Sequence, residues 1–134
     1  MSGNNVLIIE DNLLNLELVT DLLEANGFLV SSAQTAEEGL HVARDLMPDL
    51  VLMDMGLPGM DGLSATRELK TNRATRHLTV VGLTAHAMKG DTEIAFKAGC
   101  DGYLTKPIDT RTFIETITRF IASANSHPTI NNAQ

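Results

Sequence analysis

Short runs of consecutive apolar residues recur along the chain, separated by longer segments with helical periodicity. Apolar residues at successive positions are typical of parallel strands covered on both faces. Five such strands alternating with five helices predict an α/β domain with a parallel sheet and right-handed crossovers. The runs are Val6–Ile9, Phe28–Val30, Leu50–Met53, Thr79–Leu83 and Tyr103–Leu104.

The helical segments carry boundary signals. In the first, polar residues recur three or four positions apart and leucines fill the other faces, so we interpret those leucines as core. Gly27 is placed to end this helix. Asp61 and Asp109 are predicted to cap the third and fifth helices, and Gly39 slightly weakens the prediction of the second. The apolar stripe of the last helix is Phe113, Ile117, Phe120 and Ile121.

The chain length suits a small, flavodoxin-like doubly wound sheet with strand order 2-1-3-4-5. Ligands of such sheets bind beyond the carboxyl ends of the strands, where the strand order reverses. Here that point lies between the first and third strands. With 134 residues the chain fits one domain, predicted over 1–122. Residues 123–134 are polar and Asn-rich and contain Pro128, so we expect a flexible tail.

Composition and charge exclude several kinds of function. A net charge of −7 disfavours binding to nucleic acid or to anionic membranes. Cys100 is the only cysteine, so the chain has neither an internal disulfide nor a cysteine zinc site. The longest apolar runs are far shorter than the roughly 20 residues of a membrane helix. We therefore expect a cytoplasmic protein with a mainly aliphatic core.

Polar residues with a common chemistry follow the predicted strands. Glu10 and Asp11 follow the first strand, Asp54 the third, Thr84 the fourth and Lys106 the fifth. Carboxylates about 4 Å apart repel by roughly 4 kcal/mol at an effective dielectric near 20. A divalent cation would relieve that repulsion, and oxygen ligands favour Mg²⁺.

The same residues suit the transfer of a phosphoryl group. Asp54 is the candidate nucleophile, because a carboxylate can form an aspartyl phosphate. A metal held by Asp11 and Asp54 would neutralise charge on the transferred group. Lys106 could supply a compact positive charge, and the Thr84 hydroxyl could donate to a phosphoryl oxygen.

Together these motifs resemble the response-regulator receiver family over about residues 4 to 122. The chain looks like a stand-alone receiver of the DivK or chemotaxis-regulator kind, since little sequence follows residue 122. The motifs that carry the resemblance are Glu10-Asp11-Asn12, the segment from Asp54 to Gly62, Leu83-Thr84-Ala85, and Tyr103-Leu104-Thr105-Lys106-Pro107.

The resemblance implies a role for each matching residue. Asp54 would be the phosphoacceptor, and Mg²⁺ would be held by Asp11, by Asp54, by the backbone carbonyl of Gly56, and by Glu10 mainly through water. No other cofactor is implied. Lys106 would pair with the phosphoryl group. Thr84 would move to bind it, and Tyr103 would be the switch aromatic. The Lys106-Pro107 bond resembles the family's cis peptide, and Gly56 and His86 are positions that adjust hydrolysis.

The resemblance also implies partners. The phosphodonor would be a histidine kinase or a histidine phosphotransfer domain, and a downstream protein effector would read the switched surface. We expect that surface around Met88–Phe96, Asp101–Thr105 and Asp109–Phe120. The protein would catalyse its own phosphorylation and dephosphorylation, as a signalling protein rather than a turnover enzyme, and would be a monomer or weak dimer.

Plainer interpretations remain open for these residues. Glu10 and Asp11 could cap the first helix, Asp54 could begin a turn, and Thr84, Lys106, Tyr103 and His86 could be ordinary strand-end, packing or surface residues. Two other functions also remain open. The first is a phosphorylation-independent interaction module with a receiver fold. The second is a small-molecule phosphatase, which is disfavoured because Gly56 stands where such enzymes usually carry a second acid.

Overall fold

The computed structural model describes residues 4–56, 61–85 and 89–126, without the side chains of 89–92 and 125–126. The strands are β1 (Asn5–Ile9), β2 (Leu29–Ala33), β3 (Leu50–Asp54), β4 (Thr79–Thr84) and β5 (Gly102–Thr105). The helices are α1 (Leu13–Ala25), α2 (Ala36–Leu46), α3 (Gly62–Thr71), α4 (Lys89–Ala98) and α5 (Phe113–Ser126).

All five strands run parallel in the order β2-β1-β3-β4-β5, which confirms the predicted doubly wound α/β fold. The second strand differs most from its prediction, because it begins after the buried Phe28 and continues to Ala33. β1 pairs with both β2 and β3, and Ile9 lies opposite Met53. The carboxyl ends of β1 and β3 are therefore adjacent at the reversal of strand order.

Each face of the sheet packs against its own helices. Residues from α2, α3 and α4 bury one face, together with Leu7 and Ile9 of β1. Residues from α1 and α5 bury the other, together with Val6 and Ile8. The alternation along β1 follows from the two-residue side-chain period of a strand. Because both faces are covered, β3 is buried throughout, as its apolar run predicts.

Local signals set most helix boundaries where they were predicted. Gly27 follows α1 and has a φ of 86°. This value lies in the left-handed region of the backbone, which favours glycine. Asp61 caps α3 by accepting a hydrogen bond from the Ser64 amide at 2.8 Å. Asp109 caps the turn that leads into α5 instead of the helix itself, since its carboxylate accepts from the Arg111 amide at 3.0 Å.

Two sequence expectations change in the structure. The final helix continues to Ser126, four residues into the segment expected to be a tail, and residues 127–134 lie outside the description. Gly39 is buried within α2. A Cβ at this position would overlap the Ile9 side chain of β1. The glycine therefore lets α2 approach β1 closely, which outweighs its weak helix propensity.

A polar contact joins α3 to the amino ends of β4 and β5. The Lys70 ammonium donates to the Leu78 carbonyl at 2.7 Å and to Asp101 Oδ2 at 2.8 Å. The same Asp101 oxygen accepts from the Val80 amide at 2.8 Å. These bonds hold α3 against the edge of the sheet opposite its carboxyl ends.

Among the described residues, every helix is too short or too polar to cross a bilayer.

Candidate functional site

Three carboxylates from two strands meet at the carboxyl edge of the sheet. Glu10 and Asp11 follow β1 directly, and Asp54 is the last residue of β3. Each offers an oxygen within 4.8 Å of the others, in a search limited to the described residues. Glu10 and Asp54 are buried, whereas Asp11 is exposed. The structure thus brings together the acids that the sequence places at separate strand ends.

The Lys106 ammonium faces these acids from the end of β5. Its Nζ lies 3.1 Å from Asp54 Oδ2 and 3.4 Å from Glu10 Oε1. The Lys106 amide donates to the Thr84 carbonyl at 2.8 Å, which fixes its backbone beside β4. The following peptide bond, to Pro107, is cis, as expected. The interpretation of Lys106 as a solvated surface residue therefore does not fit its contacts.

The site is short of positive charge when its acids are ionised. Three carboxylates and one ammonium leave a net of two negative charges in a region where Glu10 is 1% exposed and Asp54 is 3% exposed. Partly buried charges attract and repel more strongly than charges in water. Oε1 of Glu10 is also buried without a hydrogen-bond partner of acceptable geometry among the described residues, although Lys106 lies near it.

These surroundings change the pKa values of two groups. Burial raises the pKa of Glu10, and neighbouring Asp54 raises it further, whereas the Asn12 amide and Lys106 act in the opposite direction. Burial alone would lower the pKa of Lys106, but the hydrogen bond and charge of Asp54, with the charge of Glu10, raise it overall. The ammonium is therefore held firmly in its charged form.

This donor set suits a hard divalent cation. Carboxylate oxygens are the ligands that Mg²⁺ prefers, and a charge of two would balance the remaining negative charge. Oε1 of Glu10 is buried and has no hydrogen-bond partner of good geometry among the described residues, so it is the kind of atom that an ion or its bound water would satisfy. The residues present therefore fit the magnesium that the sequence analysis expects.

The backbone around Asp54 orients its carboxylate. Asp54 Oδ1 accepts a hydrogen bond from the Gly56 amide at 2.9 Å, while Oδ2 faces Lys106. Gly62, at the start of α3, is packed so closely that a Cβ would overlap the Asp54 carbonyl oxygen and approach Met55 Cα at 2.8 Å. At Gly56, in contrast, a Cβ would make only an ordinary contact with Asp54 Oδ1, at 3.6 Å. Among the described residues, a Cβ at Gly56 therefore has room beside the Asp54 carboxylate.

A cavity of about 640 Å³ extends from the acids toward α4. Its lining includes Asp54, Thr84 and Tyr103, so the residues predicted to act as a switch border the same space as the candidate nucleophile. Tyr103 is half-buried, and its ring contacts that of Phe96 edge-on, with centroids 5.8 Å apart and planes at 83°. Met88, His86 and the Pro58-Gly59 pair lie outside the described residues.

The first helix shows a feature that the sequence analysis missed. Its leucines were interpreted as core, but Leu13, Leu14 and Leu18 are 62%, 77% and 40% exposed. Only Val19 and Leu23 of this helix are fully buried. A sequence signal did exist, because six leucines within eleven positions are too many for one buried stripe. The exposed leucines begin beside Asn12 and Asn15, which line the cavity.

Asn12 makes two local contacts at the start of α1. The Asn12 side chain caps α1 by accepting from the Asn15 amide at 3.1 Å. The Asn12 amide donates to Glu10 Oε2 at 3.1 Å. One residue thus begins the helix and also orients a carboxylate of the site. The sequence gives no sign of the second contact, which depends on how the loop folds back.

Comparisons with known proteins agree with this geometry. The polar-differentiation response regulator DivK of Brucella ovis is 44% identical over 120 residues, covering 90% of this chain and 98% of the relative. The receiver domain of the sensor histidine kinase PA1611 from Pseudomonas aeruginosa PAO1, solved with a magnesium ion in its active-site cleft, is 33% identical. That likeness covers 91% of this chain and all of the other, with a TM-score of 0.83.

A CheY-like receiver domain protein from Methanospirillum hungatei JF-1 is 27% identical and superimposes with a TM-score of 0.84, covering 92% of this chain and 97% of the other. Residues 6–118 match the response regulator receiver domain as a family. The match spans the sheet and all four site strands, β1, β3, β4 and β5. With the acids, the lysine and the sheet order in place, the chain belongs to the response regulator receiver domain family.

Proposed function

We propose that this chain is a single-domain response regulator that accepts a phosphoryl group on Asp54 with Mg²⁺ and so switches a partner-binding surface. Acceptance of a phosphoryl group is general in this family. The observation that carries the assignment to Asp54 is its position: a buried carboxylate with one oxygen 3.1 Å from the Lys106 ammonium and other acids within reach.

The contacts of Asp54 support a direct displacement. One carboxylate oxygen attacks the phosphorus of a phosphohistidine, the phosphorus–nitrogen bond breaks, and its electron pair returns to the imidazole. Lys106 stabilises negative charge on the transferred group, and the Gly56 amide holds the other carboxylate oxygen. Asp11, Asp54, the Gly56 carbonyl and Glu10 would hold Mg²⁺. When bound, the ion supplies charge neutralisation of the phosphoryl oxygens.

The donor is proposed to be a histidine kinase or a histidine phosphotransfer protein. Leu13, Leu14 and Leu18 are exposed on α1, and Leu13 and Leu14 lie in the chain between Asn12 and Asn15, which line the cavity. An apolar surface next to a reactive group suits a protein donor, since docking there would bring its histidine to Asp54. A small phosphodonor such as acetyl phosphate would reach Asp54 without using this surface.

The phosphorylated form is proposed to act through Thr84 and Tyr103. Both line the cavity next to Asp54, so a new anion there can draw the Thr84 hydroxyl and free space for the Tyr103 ring. A downstream protein effector would read the surface formed by α4, β5 and α5. Half-exposed Ile94 and Phe96 contribute apolar area to that surface.

Labelling with acetyl phosphate tests the proposal directly. In the presence of Mg²⁺, intact-mass spectrometry should show one added phosphoryl group on the wild-type chain, and peptide mapping should place it on Asp54. Asp54→Asn should remain unlabelled, and Lys106→Ala should label much more slowly. Exposed Asp21 on α1 offers the control, because Asp21→Asn should label like wild type. Equal labelling of Asp54→Asn would refute the assignment.

A further inference from the structure

Tyr103 borders both a neighbouring ring and an open space. Its ring meets the ring of Phe96 at an interplanar angle of 83°. This edge-to-face arrangement is one of the favourable geometries for aromatic pairs. Tyr103 also lines the cavity that contains Asp54 and Thr84. The ring therefore has one position stabilised by a contact and an empty volume beside it.

Phe96 has little other reason to hold its position. It is 47% exposed and belongs to neither of the two buried clusters that cover the faces of the sheet. A large apolar ring at the surface of α4 gains little from burial there. Within the described part of the chain, Tyr103 is the ring that it contacts. The contact therefore accounts for its orientation better than core packing does.

We infer that Phe96 is a positioning residue that holds the Tyr103 ring against α4 in the unphosphorylated protein and so sets the threshold of the switch. This inference rests on the proposed function, in which Tyr103 turns toward the cavity once Thr84 has moved. A contact of this kind biases the two ring positions by roughly two- to tenfold. Such a bias is large enough to favour the Tyr103 ring position against Phe96, and small enough for phosphorylation to overcome.

The composition of the chain provides a clean probe. Tyr103 is the only tyrosine, and the chain has no tryptophan. Incorporation of 3-fluorotyrosine would therefore give ¹⁹F NMR signals from this ring alone. Phe96→Leu removes the aromatic edge and keeps an apolar side chain of similar size. Phe96→Trp restores an aromatic ring without adding a second labelled site. Glu93→Ala truncates another exposed side chain of α4 and serves as the matched control.

We expect the unphosphorylated Phe96→Leu protein to give a Tyr103 resonance displaced toward that of wild type treated with acetyl phosphate and Mg²⁺. The displacement should correspond to a two- to tenfold change in the ratio of ring positions. Phe96→Trp should return the resonance toward the unphosphorylated wild-type position, and Glu93→Ala should leave it unchanged. A Phe96→Leu resonance identical to wild type, or an equal displacement in Glu93→Ala, would overturn the inference.

Mass spectrometry of the same samples separates this inference from the proposed function. If wild-type Asp54 takes no phosphoryl group, the proposed function fails. If Asp54 is modified and the wild-type resonance moves, while Phe96→Leu leaves the ring ratio unchanged, only the role of Phe96 fails. If Asp54 is modified and the wild-type Tyr103 resonance stays in place, the ring has one position and the inference is overturned.

Discussion

Glu10 experiences opposing effects of burial and charge. Its side chain is almost completely buried, and one of its oxygens has no hydrogen-bond partner of good geometry among the described residues. Burial raises its pKa because the charged form loses water, and Asp54 adds like-charge repulsion. A buried carboxylate in these surroundings lowers the stability of the folded protein when no cation is bound. The cost is consistent with a residue kept for binding a cation instead of for folding.

This environment predicts how stability depends on pH. Because the folded pKa of Glu10 lies above its ordinary value of 4.5, the folded state holds the proton more tightly than the unfolded state. The free energy of unfolding should therefore fall as pH rises from about 4.5 through the raised pKa. Glu10→Gln should remove this fall and raise the free energy of unfolding at neutral pH without Mg²⁺.

Urea unfolding at a series of pH values, with a chelator present, measures the effect. Glu17→Gln is the control, because Glu17 is exposed on α1. A Glu10→Gln protein with the same pH dependence as wild type would show that burial of the Glu10 carboxylate does not lower the stability of the folded protein.

Sequence alone identifies Glu10 as a site acid. Its burial could not be predicted, because burial depends on the packing of residues distant in sequence.

At the scale of elements, α3 and β3 meet at a glycine. Gly62→Ala would add a Cβ that overlaps the backbone of Asp54. Overpacking costs about 1–3 kcal/mol, whereas the better helix propensity of alanine returns at most about 1 kcal/mol. We therefore predict a net loss of stability in urea unfolding, with slower labelling of Asp54. Gly56→Ala, where a Cβ has room, should be as stable as wild type, so an equal loss in both would contradict this explanation.

The exposed surface of α1 gives a second prediction at this scale. Leu14 is 77% exposed and Leu23 is fully buried on the same helix. Leu14→Ala should change the free energy of unfolding by less than about 0.5 kcal/mol, whereas Leu23→Ala should cost about 2–5 kcal/mol.

Leu14→Ala should also slow phosphorylation by a histidine phosphodonor protein without slowing labelling by acetyl phosphate. Rates with both donors, measured side by side on the same preparation, separate docking from chemistry. Unchanged transfer from the protein donor would argue against α1 as the docking surface.

The elements differ in how much of them the sequence predicts. The strands β1, β3 and β4 are recognisable because each is a continuous apolar run, and the site acids follow directly from where those runs end. The surface of α1 and the ring contact of Phe96 with Tyr103 are different. They depend on how helices lie against the sheet, and a helix with leucine on several sides does not reveal which side is covered.

For the whole molecule, binding of Mg²⁺ at the acid cluster would be linked to folding. An ion that binds only the folded state stabilises it by RT ln(1 + [Mg²⁺]/Kd), or about 2.7 kcal/mol at a concentration 100 times Kd. Asp11 is exposed, so Asp11→Asn should leave the metal-free stability within about 0.5 kcal/mol of wild type. The same substitution should nevertheless remove most of the stabilisation that Mg²⁺ gives to the folded state.

Thermal unfolding over a magnesium titration provides the readout. Asp21→Asn, at an exposed acid away from the cluster, should keep the full gain. An Asp11→Asn protein that is stabilised by Mg²⁺ as much as wild type would place the ion elsewhere.

The bonds of Lys70 have a mechanical consequence for the whole domain. They join the amino ends of β4 and β5 to α3, while the cavity borders the opposite ends of the same strands. We therefore expect the amino ends of β4 and β5 to stay in place when residues near Lys106 rearrange. Displacements should then be largest at the carboxyl ends of these two strands, which border the cavity.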